Sequence, residues 1–152
     1  MPEQTQSTAD EGPIAERERW FGMAFSQNAR RKYGRPISRS ALLLEVDVRV
    51  AFRAGAWVSV IVLAAAAIEA QFRHVFTDDY DTKANRLYGD NPDLHWLREL
   101  RNEILHVSPP GTRSQLWKVA GANLRLTHDA LEPEARRAVE VMFQSVYRRD
   151  AP

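Results

Sequence analysis

The sequence predicts an all-α fold, a bundle of helices, and three observations carry that expectation. Apolar residues recur at three- and four-residue spacing through most of the chain, which gathers them on one side of a helix. Residues 54–68 form an uncharged run of 15 that contains four consecutive alanines, small enough to let neighbouring helices come close. Proline and glycine punctuate the periodic stretches: Pro13, Pro92 and Pro133 fit first helical turns, while Gly34, Pro36 and Ser108-Pro109-Pro110-Gly111 fit stops.

Composition narrows the class. A chain of 152 residues fits one domain with a single core, and 44% hydrophobic with 27% charged residues is ordinary for a globule. With no cysteine there is no disulfide, thiolate metal site or cysteine nucleophile, which agrees with a reducing, cytoplasmic setting. A net charge of +1 means that any attraction to nucleic acid must come from a local patch. Residues 54–68 fall short of the ~18–20 that a spanning helix needs, so they are expected to be a buried helix and no membrane contact is expected. Residues 1–12 are polar and acidic, without a basic or apolar signal region. They are expected to form a disordered tail ahead of one helical domain over 13–150.

The elements follow in order. A first helix runs from Pro13 to about Tyr33, with Ile14, Phe21, Phe25 and Asn28 in one line, flanked by Trp20, Met23 and Ala24. Its basic end, Arg30, Arg31, Lys32, Arg35 and Arg39, suits the helix dipole first and phosphate steering second. Residues 44–50 alternate apolar and polar, a strand pattern when taken alone. A helical stripe through Leu43, Val46, Val50, Ala54, Trp57 and Ile61 continues into the next segment, however, and a lone strand would lack a partner, so a helix is expected, with Gly55 a kink or break.

Residues 56–76 are the central helix. Glu69 interrupts its apolar surface, either as an exposed charge or as a buried carboxylate served by Arg98 or Arg101. Residues 77–90 are polar and aperiodic, a loop; Asp78, Asp79 and Asp81 lack the glycine and distal glutamate of a calcium-binding loop, so no metal is expected. Asn91-Pro92-Asp93 starts a further helix that runs to Val107. Residues 115–119 and 124–127 read as short extended pieces around a turn, a hairpin or ordered loop that covers the bundle end or the site. Thr127 or Asp129 caps the last helix, Ala135, Ala138, Val139, Met142, Phe143, Val146 and Tyr147 form its inner face, and Arg136, Arg137, Arg148 and Arg149 face out.

The helix over 92–107 carries the chemistry. Glu99, Asn102 and His106 fall at i, i+3 and i+7, one polar line. Arg101 lies about 140° from His106 around the axis at ~3.6 residues per turn, so the two meet only if the arginine swings or another helix forms the far wall. That geometry favours a site at an interface. Of the four histidines, His74 and His128 suit surface positions at helix ends, and His95 returns to nearly the face of His106. Only His106 has an arginine and an amide at short spacing. The set suits metal-free cleavage of an RNA phosphodiester by its own 2′-hydroxyl, with imidazole as acid or base and guanidinium on the charge that builds at phosphorus.

Arg101-Asn102, three residues and then His106 resemble the signature of the HEPN superfamily: an arginine, a polar residue, and a histidine four to six residues after the arginine. Residues 53–73, rich in small residues and containing Glu69, are similar to the helix that precedes the motif in many such domains. The resemblance spans residues 41–107 and, with the last helix, most of the chain. It implies a four- or five-helix up-down bundle with a short extended or hairpin insert near 115–127. It also implies a homodimer with the motif near the interface, His106 as acid or base, Arg101 on the phosphate, Asn102 in support, and no cofactor. RNA is the implied substrate, cut to a 2′,3′-cyclic phosphate, in toxin–antitoxin or antiphage defence with a cognate antitoxin. Glu69 and Arg98 join the site from the residue reading alone, as supporting or phosphate contacts. The alternative is a non-catalytic dimerising or nucleotide- or nucleic-acid-binding helical module, in which Arg101 and His106 satisfy carbonyls and pair with Glu99 or Glu103.

Overall fold

The structure, a computed structural model, describes residues 12–29, 36–106 and 124–147. The elements among them are seven helices and no strand: α1 (Pro13–Asn28), α2 (Arg39–Ala54), α3 (Trp57–Val75), α4 (Tyr80–Asp90), α5 (Pro92–Leu105), α6 (Leu124–Ala130) and α7 (Glu132–Val146).

The axis is α3. Trp57, Val60, Ile61, Ala64, Ala67, Ile68, Gln71 and Phe72 are all buried on it, and α2 and α7 pack along it most extensively. Ala64 and Ala67 are wholly enclosed, as expected where small residues let helices approach closely. By length and composition α3 could cross a membrane, but here it is the core helix.

Polar contacts fix the helix directions. The Ser38 N–H, just before α2, donates to Gln71 Oε1 at 2.9 Å near the end of α3, and at the opposite end the Phe52 and Trp57 rings meet edge to face at 5.4 Å. So α2 and α3 are antiparallel. Arg49 in the last turns of α2 donates to Glu18 near the start of α1 at 2.8 Å, which makes α1 antiparallel to α2. Arg136 donates to Glu16 at 3.1 Å and Gln144 to Asn28 at 2.7 Å, so α7 runs parallel to α1. The turn between α2 and α3 is built by Gly55 at φ +72°, where a side chain would be strained. Its N–H reaches the Phe52 carbonyl and that of Ala56 reaches Ala51. The core gathers Trp20, Phe21, Phe52, Trp57 and Phe143 in stacked and edge-on pairs.

Several expectations are corrected. Residues 80–90 are helical, not a loop: Tyr80, Ala84, Leu87 and Tyr88 make a stripe against α3 and α5 in which Leu87 is the one large aliphatic residue, so the period is weak in sequence. Residues 44–50 are helical as expected, but the stripe through Leu43, Val46 and Val50 is 70%, 60% and 62% exposed; Ala41, Val48 and Phe52 face the core, because Phe52 inserts between Trp20 and Trp57. On α1, Phe21 and Ala24 are buried while Ile14 and Met23 are exposed, and the helix ends at Asn28, not Tyr33. The basic residues 30–35 lie outside the described residues.

Residues 124–127 belong to α6 and are not extended; residues 107–123, with the rest of the expected insert, lie outside the described residues. At the start of α7, Pro133 is in the first turn as expected, but Leu131 occupies the cap position and no side chain caps the helix. Its inner face is as expected, with Tyr147 half-buried at the end. Arg136 does not face out: it bonds Glu132 and Glu16 and lies over Trp20 at 4.7 Å, because its planar cation satisfies two carboxylates while covering the ring.

Candidate functional site

Sequence-local rules start α5. The Asn91 side chain accepts the N–H groups of Asp93 and Leu94 at 3.0 and 3.2 Å, Pro92 opens the first turn, and Asp93 adds an acid there. Asp93 also accepts from Arg137 at 2.6 Å, whose guanidinium lies over Trp96 at 4.0 Å, so the helix start is clamped to α7. Leu94, Leu97 and Leu100 are buried. That leucine face turns Arg98, Arg101 and Asn102 towards a space whose other walls are α3 and α4.

The space is a pocket of about 200 Å³, and four of the five residues singled out from the sequence line it: Glu69, Arg98, Arg101 and Asn102. Arg98 lies over the Tyr88 ring at 4.6 Å, and Arg101 Nη1 donates to Asn102 Oδ1 at 3.0 Å. Both guanidiniums are half-buried, and among the described residues neither is paired with a carboxylate. Glu69 is taken by Arg73 at 2.8 Å, not by Arg98 or Arg101, because a partner one turn along the same helix needs no reach across the pocket. Arg73 in turn covers the Tyr80 ring at 4.3 Å.

His106 departs from the expected polar line. α5 ends at Leu105, so His106 is in extended backbone at φ −128° and ψ 149°, its N–H on the Asn102 carbonyl at 2.8 Å. Its side chain is exposed and does not line the pocket. The motif is therefore divided, with Arg101 and Asn102 at the pocket and His106 in solvent beyond the helix end. His95 and His74 are exposed, and His128 is half-buried with Asp129 at 3.6 Å. Among the described residues no three carboxylate or imidazole groups come together as metal ligands.

Three polar lining residues, Tyr80, Asn85 and Tyr88, are not marked by the sequence, and all lie on α4, which the sequence presents as a loop. The available signal was the 80, 84, 87, 88 spacing. Burial pushes the Tyr88 phenol up to about 12, helped by nearby Tyr80 and Glu69 and opposed by Arg98 and Arg101. Burial and Glu69 raise that of Tyr80 as well. Both hydroxyls therefore stay protonated and able to donate at neutral pH. Taken together, the arginines, the Asn102 amide and the phenols supply hydrogen-bond donors around the pocket, beside the Glu69 and Asp81 carboxylates that also line it.

Comparison with protein-family models, with curated proteins and with solved structures finds no match to this chain.

Proposed function

We propose that the protein is a metal-independent endoribonuclease of the HEPN type, working as a homodimer. The observation that carries the reading is Arg101: a half-buried guanidinium without a carboxylate partner among the described residues, held by Asn102 on the helix whose end presents His106 to solvent. In that reading α1, α2, α3, α5 and α7 are the helices of a HEPN-like bundle, and the groove between two copies joins Arg101 of one to His106 of the other.

The chemistry follows from those groups. The 2′-hydroxyl attacks the adjacent phosphorus, the bond from phosphorus to the 5′-oxygen breaks, and a 2′,3′-cyclic phosphate and a 5′-hydroxyl result. His106 accepts the 2′-hydroxyl proton or supplies one to the leaving oxygen. Arg101 donates in a fork to the non-bridging oxygens as charge gathers there, and Asn102 holds its plane. Arg98 adds a second cation on the same face, and Glu69, which lines the pocket, is held in its ion pair with Arg73. The setting that accompanies this reading is a cytoplasmic toxin–antitoxin or antiphage system with a cognate antitoxin.

A second reading, a non-catalytic nucleotide- or nucleic-acid-binding module, is favoured by the absence of His106 from the pocket. Labelled RNA incubated with purified protein in chelator separates the two. The nuclease yields cyclic phosphate ends and loses about 10²- to 10⁴-fold in rate with His106→Ala, the usual range for a general acid or base. RNA bound but uncut by both proteins would leave the binding module.

A further inference from the structure

The pocket between α3, α4 and α5 holds more than cleavage of a polymer needs. Arg98 and Arg101 stand three residues apart on α5, so their side chains share one face, and both line the cavity. Arg98 and Arg101 are half-buried with no carboxylate in ion-pair contact among the described residues, Glu69 being held by Arg73, so a bound oxyanion supplies the counter-charge they lack at contact distance. The Tyr88 ring beneath Arg98 fixes the plane of its guanidinium while leaving the N–H edge free to donate. Asn102 gives its oxygen to Arg101, which leaves its amide hydrogens for a ligand.

The opposite wall has different chemistry. Asp81 and Asn85 of α4 supply acceptors, where a second anionic group would be repelled and hydroxyl groups are accommodated. The volume of about 200 Å³ is below the ~300–1,000 Å³ of drug-sized sites, room for one phosphoryl group and one small ring.

We propose that this pocket binds a sugar phosphate, with its phosphoryl oxygens on Arg98 and Arg101 and its hydroxyls towards Asp81 and Asn85, and that occupancy withdraws Arg101 from RNA cleavage. Binding stands on the pocket alone, whereas inhibition rests on the role given to Arg101 above. The same chemistry is offered by a free sugar phosphate and by the ribose-phosphate end of an RNA.

Calorimetric titration of the full chain tests this with ribose 5-phosphate, inorganic phosphate, ribose, and a 5′-phosphorylated RNA dinucleotide. Ribose 5-phosphate is expected to bind at least about tenfold more tightly than phosphate, and ribose without its phosphate not at all. Arg98→Ala and, at an exposed position that does not threaten folding, Asn85→Glu are each expected to weaken it by about tenfold or more. Absence of ribose 5-phosphate binding overturns the proposal, and so does equal affinity for ribose 5-phosphate and bare phosphate. Binding of the dinucleotide alone overturns the free-metabolite form and makes the pocket an RNA-end subsite. If the protein cuts no RNA, the nuclease reading falls while the titration still decides the pocket's ligand. If it cuts RNA equally with and without saturating ribose 5-phosphate, the inhibitory half falls.

Discussion

Glu45 shows how much a single group can report. It is half-buried on α2 and accepts the Tyr147 hydroxyl at 2.7 Å, tying that helix to the end of α7. Burial raises its pKa above the ordinary 4.5, and the hydrogen bond offsets this only in part. A carboxyl that holds its proton more tightly when folded adds stability that is full below about 4.5 and is lost as pH rises through the raised value. Glu45→Gln keeps an oxygen for Tyr147 and removes the charge. Its melting temperature is therefore expected to gain on the parent as pH climbs through that window and then run level above it. A gap unchanged by pH across the carboxylate range would show that burial leaves Glu45 unperturbed. Arg136 makes a different residue-scale point, since one planar cation joins α1, α7 and the ring of Trp20 where an aliphatic side chain could serve only the packing.

At the scale of the element, α2 is the sharpest case because its sequence offers two apolar faces and the fold uses one. Val48 is fully enclosed beside Phe52 on the same buried face, while Val50, two residues on, is mostly in water. Val48→Ala is expected to cost about 2 kcal/mol in denaturant unfolding, and Val50→Ala under about 0.5 kcal/mol, since only the first leaves a void. Equal costs would reverse the orientation of the helix. The helical state of α2 was legible because its period runs on into α3, but its facing was not, because hydropathy cannot say which valine meets Trp20 and Trp57. α4 is hard to read from sequence for a related reason: two of its four inward residues are tyrosines and one is alanine, and their burial comes from α3 and α5. Arg98, Arg101 and Asn102 could be read together because the leucines of α5 fix which way its polar residues turn, and Glu69 because it interrupts the apolar run of α3. His106 could not be followed, since the helix gives out at Leu105, one residue before the turn that would have carried it onto the line.

Across the whole molecule, the separation of Arg101 from His106 decides how the proposed enzyme has to be assembled. Arg101 lines the pocket and His106 is exposed past the helix end, and in the proposed enzyme a site that uses both draws one from each of two copies. A two-fold pair then holds two equivalent sites, each made of one Arg101 and the partner's His106. Arg101→Ala and His106→Ala proteins should each be inactive alone. Mixed in equal amounts after dissociation and reassociation, half of the pairs formed are mixed, and each mixed pair holds one intact site of two. RNA cleavage should therefore return to about a quarter of the parent rate at the same total concentration. A mixture no more active than its components would show that Arg101 and His106 are not contributed one from each copy. Recovery that fell on dilution, in step with the pair population measured by light scattering, would tie the activity to assembly.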